Sequence, residues 1–251
     1  MIYPKADYHT HTTYSHGTGS VMDSAVFAKE HNIDTIAITD HGFTHMAFGL
    51  DRKKVPELRK DIDEAEQKTG VNILLGVEAN IISKNGDIDV IDDDFNYLEI
   101  LVMGFHKSAK GKLGDTFGFV FKNVLCGWFK RFSKKQIQIN TKAYINALRK
   151  YPIDILSHLG HGCKVDCYEV AKVCEETSTY IELNGKRISF TKKDVEDMLK
   201  TNVKFVANSD AHSSDRIGDI KLGYEVANMY NIPYDRIVNL TDLIKIKEKK
   251  R

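Results

Sequence analysis

Three histidines fall within the stretch DYHTHTTYSHG, residues 7–17: His9, His11 and His16. Neutral imidazole is the commonest protein metal ligand. Residues i and i+2 of a strand point to the same face, so His9 and His11 can grip one ion together. The same residue types recur where short apolar runs end. Asp40 and His41 follow TIAIT, Glu78 closes NILLGVE, and His106 closes LEILVMGFH. His158 closes DILSH, and Asp210 with His212 ends KFVANSDAH. Imidazole and carboxylate together suit zinc, iron or manganese, and a carboxylate can bridge two cations through its two oxygens. A single histidine at a strand end is usually a hydrogen-bonded loop residue. So many run ends carrying ligand types point instead to one shared metal site.

Seven apolar runs have to position these side chains: 5–9, 35–39, 72–78, 98–106, 154–158, 180–184 and 204–210. The sixth, YIELN, ends in Asn184 rather than in a histidine or carboxylate. Segments with helical spacing lie between them, at 20–31, 53–69, 136–150, 165–177 and 191–201. In the first of these, SVMDSAVFAKEH, Ser20 stands in an N-cap position ahead of a broad apolar face. Continuous rather than alternating apolar runs indicate parallel strands covered on both faces. Repeated βα units give either an open doubly wound sheet or a closed barrel. Only the barrel brings every carboxyl end of its strands to one mouth, where active sites sit. The expected fold is therefore α/β, a distorted seven-stranded (β/α) barrel of TIM-like type with its metal site at that mouth. Neither an internal repeat nor a splitting linker is visible, so residues 1–251 are read as one domain.

Bulk properties narrow the function. The 36 basic and 35 acidic residues nearly cancel, leaving +1, which argues against a partner such as long nucleic acid. No run approaches the roughly 18 apolar residues of a transmembrane helix. The opening MIYPKADYHT lacks the apolar core of a signal peptide, so a cytoplasmic location is expected. Cys126, Cys163, Cys167 and Cys174 form no disulfide framework and lack the paired Cys-x-x-Cys spacing of a zinc knuckle. They read as reduced thiols.

In this order, HTHTTYSHG, TDHG, GVEAN, GFH, SHLGH and SDAH resemble the motifs of the PHP (polymerase and histidinol phosphatase) domain family. The resemblance spans essentially the whole chain and looks closest to the YcdX-type metal-dependent phosphatases, including the tail IPYDRIVNLTDLI. It implies a trinuclear centre of three divalent ions, Zn, Mn or Fe, with nine ligands. His9, His11, Glu78 and Asp210 would hold the first ion; Glu78, His106 and His158 the second; and His16, His41 and His212 the third. His31, His45 and His161 are left over, with His31 read as a surface residue at a helix end.

Such a centre implies a hydrolase of phosphate esters, a phosphomonoesterase on a small molecule, in which a metal-bound hydroxide attacks phosphorus without a covalent enzyme intermediate. Three further residues are candidate catalytic groups. Asp40 would orient a ligand histidine or pass a proton, its alternative being the N-cap of a helix beginning at HGFTH. His161 would contact phosphate or protonate the leaving group, in a motif where the family often has proline and this chain has Leu159. Arg187 would bind phosphate bidentately, with Arg216 a weaker candidate.

The segment 108–135 departs from the family pattern by its length and by its aromatic and basic content. Phe117, Phe119, Phe121, Trp128, Phe129 and Phe132 alternate there with Lys122, Lys130, Arg131, Lys134 and Lys135. It is read as a lid over the mouth, a homo-oligomer or membrane-surface element, or a packing insertion. The rival functions are a phosphodiesterase or exonuclease on nucleotides or short nucleic-acid ends, a histidinol-phosphate phosphatase, and a non-catalytic metal-binding barrel.

Overall fold

Seven strands form where the apolar runs stand, all parallel and in sequential order. They are β1 (Ala6–Thr10), β2 (Thr35–Ile38), β3 (Asn72–Asn80), β4 (Ile100–Gly104), β5 (Ile155–Leu156), β6 (Tyr180–Asn184) and β7 (Phe205–Asn208) in a computed structural model that describes residues 3–110, 115–129 and 131–249. The helices are α1 (Val21–Glu30), α2 (Val55–Thr69), α3 (Asp115–Trp128), α4 (Lys134–Lys150), α5 (Cys167–Glu176), α6 (Lys192–Met198) and α7 (Lys221–Met229). Sequence spacing anticipates five of them within a few residues; α3 and α7 are additional. Their starts follow local chemistry. Ser20 caps α1 in a reciprocal box with Asp23, Asp166 caps α5, and Thr191 pairs with Asp194 at α6.

The sheet curls into a nearly closed barrel. At the mouth, a bridge between Thr10 and Ala211 joins the first and last strands, with His11 N–H donating to Ala211 O at 2.8 Å. Lower down, side chains replace the ladder. The Asn239 amide donates to Ala6 O (2.7 Å) and Ala207 O (2.6 Å) and accepts from Ala207 N (2.8 Å). It thereby stands where an eighth strand would.

Every strand contributes to an inner apolar layer: Tyr8, Ala37, Leu74, Val102, Ile155, Tyr180 and Val206 meet there with Ile244 of the C-terminal tail. Because side chains repeat every second residue, the positions above this layer face the mouth. Leu74 leads through Gly76 to Glu78, Val102 through Gly104 to His106, and Val206 through Asn208 to Asp210. The outer faces pack against the helices in two further cores, one under α1 and α2 and one under α3 to α7. Among the described residues no helix is long and apolar enough to cross a membrane. All four cysteines are free, and among the described residues none joins a cluster able to hold a metal.

Candidate metal centre

The mouth brings the predicted ligands together around Glu78. Four imidazole nitrogens crowd its Oε2: His41 Nδ1 at 3.0 Å, His106 Nε2 at 3.3 Å, His9 Nε2 at 3.4 Å and His11 Nε2 at 3.7 Å. Its Oε1 accepts from His158 Nε2 (2.8 Å) and Ser157 Oγ (2.9 Å). Asp210 Oδ1 lies 3.4 Å from His11 Nε2 and 3.9 Å from His9 Nε2. Glu78 is 1 % exposed and Asp210 5 %. Burial alone would raise both carboxyls, but the surrounding histidines outweigh it and hold them well below the usual range.

Backbone geometry at two strand ends is unusual for side-chain-bearing residues. His158 has φ of 30° and Asp210 of 53°, both in the left-handed region. Such strain persists only where surroundings over-determine it, and it clusters at functional sites. His158 N–H is held by Glu182 Oε2 at 2.9 Å. Gly104 is required beneath them: a Cβ there would lie 2.4 Å from Ser157 Oγ and 2.7 Å from the His158 ring.

Whether these residues fit cations is answered by their donor chemistry. His9 and His11 present Nε2 atoms to each other at 3.2 Å, a contact in which only one nitrogen can carry a proton. His11 Nδ1 is buried without a hydrogen-bond partner. Burial pushes His11 well down and His106 to about 3, favouring the neutral, metal-binding form. Three sets of ligand atoms, His9–His11–Asp210, His11–His41–His212 and His41–Glu78–His106, each lie within 4.8 Å of one another. Lewis bases converging this way, with too few protons to share, suit divalent cations.

The sets differ in detail from the predicted grouping. His11 and His41 each belong to two of them, while His16 and His158 belong to none. His158 instead binds Glu78. His16 lies at the rim, its ring 4.7 Å from that of His212 and stacked 4.3 Å from Phe48.

The three catalytic candidates occupy distinct places. Asp40 is fully buried and accepts from Thr12 N (2.7 Å), Thr12 Oγ1 (2.7 Å) and Ser15 Oγ (2.5 Å). It clasps the loop carrying His11 and His16 rather than bonding a histidine. The segment after it turns instead of forming a helix, so the N-cap alternative does not apply. His161 and Arg187 meet: Arg187 NH1 lies 3.1 Å from His161 Nε2, whose other nitrogen is 3.3 Å from Ser189 Oγ. Arg216 is half-exposed and paired with Asp219. His31 is partly buried, its Nδ1 2.8 Å from Phe27 O at the end of α1.

Several site residues escaped the strand-end pattern. Glu182 lies two positions before Asn184 in YIELN and therefore on the same face; its Oε1 is 2.7 Å from His9 Nδ1. Asn80 Oδ1 lies 2.7 Å from His106 Nδ1, and Asp89 anchors the Asn80 amide. These partners leave the Nε2 of each ring facing inward. A carboxylate inside an otherwise apolar run was the available signal for Glu182. A cavity of about 220 Å³ opens above the cluster, lined also by His45, Phe48, Ser108, Lys186 and Arg187. Lys186 Nζ lies 3.1 Å from His212 Nδ1. Among the described residues of the 108–135 segment, only Ser108 lines this cavity. Residues 111–114 and Lys130 lie outside the described residues, as does the side chain of Phe117.

Comparison with known proteins bears on the family and the fold. A protein of Thermoanaerobacter sp. (strain X514) named "Probable phosphatase" is 28% identical over 257 residues, covering 96% of this chain and 92% of its own length. Another of that name, from Shewanella piezotolerans (strain WP3 / JCM 13877), is 28% identical over 248 residues, covering 93% and 88%. Among solved structures, the fold is similar to histidinol phosphate phosphatase from Lactococcus lactis subsp. lactis, complexed with zinc, L-histidinol and phosphate. The TM-score is 0.67 at 15% identity, covering 98% of each chain. The PHP domain pattern matches residues 7–209, and this chain belongs to the PHP domain family.

Proposed function

We propose that the chain hydrolyses a phosphomonoester of a small molecule, with three divalent cations seated in the histidine and carboxylate cup. The broader class, a metal-dependent phosphatase, follows from membership of the family and from its relatives. The observation that carries the finer reading is the crowding of four imidazole nitrogens within 3.0–3.7 Å of Glu78 Oε2, directly beneath a cavity with a cationic wall. His9, His11, His41, Glu78, His106, Asp210 and His212 would hold the ions, with His16 and His158 completing the set as their rings turn inward. Bound there, such ions activate water at neutral pH and neutralise charge on phosphoryl oxygens.

The remaining chemistry belongs to the chain. Arg187 and Lys186 stand at the cavity wall as N–H donors for the non-bridging oxygens of a phosphoryl group. His161 is pushed down to about 4, chiefly by burial and then by His158 and Arg187. Its Nε2 is an acceptor for Arg187, so His161 acts as a positioning residue for the guanidinium rather than as a proton donor to the leaving group. Asp40 holds the loop that aims His11 and His16. A cavity of about 220 Å³ has room for a phosphoryl group and part of a small substrate, with Phe48 at its wall.

Elemental analysis of protein purified without added metal, paired with monoester and diester chromogenic substrates and histidinol phosphate, tests the reading. Close to three ions per chain and preference for the monoester are expected. Glu78→Ala should sharply lower metal content and cut turnover by more than about a hundredfold. Full metal content with no hydrolysis of any phosphoester would leave the non-catalytic barrel instead, and diester preference would move the substrate class.

A further inference from the structure

Between Thr116 and Ile153 the sequence contains lysines and arginines but no aspartate or glutamate, although the whole chain is nearly neutral. Of the exposed basic residues in this stretch, Lys122, Arg131, Lys134 and Lys135 lie on α3, just after it and at the start of α4, whereas Lys142, Arg149 and Lys150 follow α4 away from the mouth. The chain leaves β4, pairs Ala109 with His45 beside the cavity, and enters α3, which ends just before α4 begins its run away from the mouth. α3 is fastened by its buried side. Phe119 packs on Phe105, and Asn123 exchanges hydrogen bonds with Asn140 at 3.0 and 2.8 Å. Its far end approaches the loop of His158 and His161: a Cβ on Gly127 would lie 4.0 Å from Gly162 O.

At that end Trp128 is 79% exposed and Phe129 71%. Lys122, Arg131, Lys134 and Lys135 are exposed around them and make no ion pair among the described residues. Two large aromatic side chains standing in water beside uncompensated cations have no stabilising role in the folded chain. Indole and phenyl rings partition to the headgroup level of a bilayer, and basic residues nearby are drawn to anionic lipid.

We propose that the corner formed by Trp128, Phe129, Arg131, Lys134 and Lys135 docks on an anionic lipid surface, with the mouth of the barrel on the docking side. Charge complementarity favours this occupant: the described charges of the corner are all basic, and its exposed aromatic pair supplies the apolar component that insertion at the headgroup level requires. The substrate consequence rests on the phosphatase reading, since docking brings the cavity to phosphorylated headgroups at the bilayer surface. The docking itself does not depend on catalysis.

Trp128 is the chain's one tryptophan, so its fluorescence reports the patch directly. The intact protein is titrated with vesicles of phosphatidylcholine alone and of phosphatidylcholine with phosphatidylglycerol. A blue shift and quenching by brominated acyl chains are expected with the anionic vesicles only. Lys134→Glu with Lys135→Glu should weaken partitioning at least about tenfold, and Phe129→Ser should reduce co-sedimentation comparably. Both variants should retain wild-type hydrolysis of a soluble chromogenic ester, which shows that they fold. The proposal is overturned by unchanged emission with anionic vesicles, by equal binding to neutral ones, or by binding that survives the charge reversal. A response to single-stranded DNA but not to vesicles would overturn it in favour of nucleic acid. Concentration-dependent self-association without vesicle binding would do so in favour of a second copy of the chain.

Discussion

At the scale of single residues, the site is a contest between burial and charge. Burial pushes His106 to about 3 and His45, His161 and His212 to about 4. His9 and His158 move the other way, because Glu182, Glu78 and Asp210 outweigh their burial. In the unfolded chain all six would titrate near about 6.5. Below that pH the unfolded chain takes up protons that these four depressed histidines, together with the lowered His11 and His16, refuse in the native state. Their stabilisation is therefore complete above about pH 6.5 and declines as the pH falls toward 4, by up to about 1.4 kcal/mol per unit for each fully buried group. The two raised histidines oppose this but are fewer. Chelator-stripped protein should thus show a urea midpoint that falls between pH 7 and pH 5; a flat or rising midpoint contradicts this balance. The His161–Arg187 contact makes a separate prediction. His161→Ala and Arg187→Ala should each raise KM for a phosphomonoester about tenfold, as expected for a charged hydrogen bond. The double variant should be no worse than Arg187→Ala alone. His161→Asn, which keeps an acceptor for Arg187, should recover most of the loss.

Among the structural elements, the seam between β1 and β7 is held by side chains rather than by a full ladder. Asn239 satisfies backbone groups on both strands and is itself 0 % exposed. Replacement by alanine leaves Ala6 O, Ala207 O and Ala207 N without that partner. The expected cost is about 3–5 kcal/mol in chemical denaturation. Loss below about 1 kcal/mol would mean that the seam is closed by other contacts. Asp7 holds the same seam nearer the mouth, accepting from Ser209 N at 3.1 Å and Gly218 N at 2.8 Å. The loop positions of the histidines hence depend on residues that touch no substrate.

For the whole molecule, the C-terminal tail stoppers the barrel opposite the mouth. Ile244 enters the inner apolar layer, and Ile244 N–H donates to Tyr8 OH at 3.2 Å. Lys249 Nζ reaches Asp154 Oδ2 at 2.6 Å, the two side chains being 4% and 0% exposed. Breaking one side of a buried pair strands a charge. Lys249→Met should accordingly destabilise by about 3–5 kcal/mol, and adding Asp154→Asn should restore much of it. A double variant no more stable than the single would show that packing, not the stranded carboxylate, sets the cost. Both variants should retain their metal, because the tail and the cup lie at opposite ends.

The strand count, the parallel order and most of the histidines and carboxylates that gather at the mouth were legible in the chain because each is encoded locally. A buried parallel strand must be apolar throughout, so a histidine or acid at its end stands out against its own neighbours. Asn239 and Lys249 carry no such contrast, since their partners lie across the barrel and only chain closure brings them close. The two orphaned roles, Glu182 behind His9 and Arg187 held by His161, are of the same kind. Residue types announce that a cup exists, whereas which nitrogen faces inward, and what steadies it, depends on contacts between strands far apart in sequence.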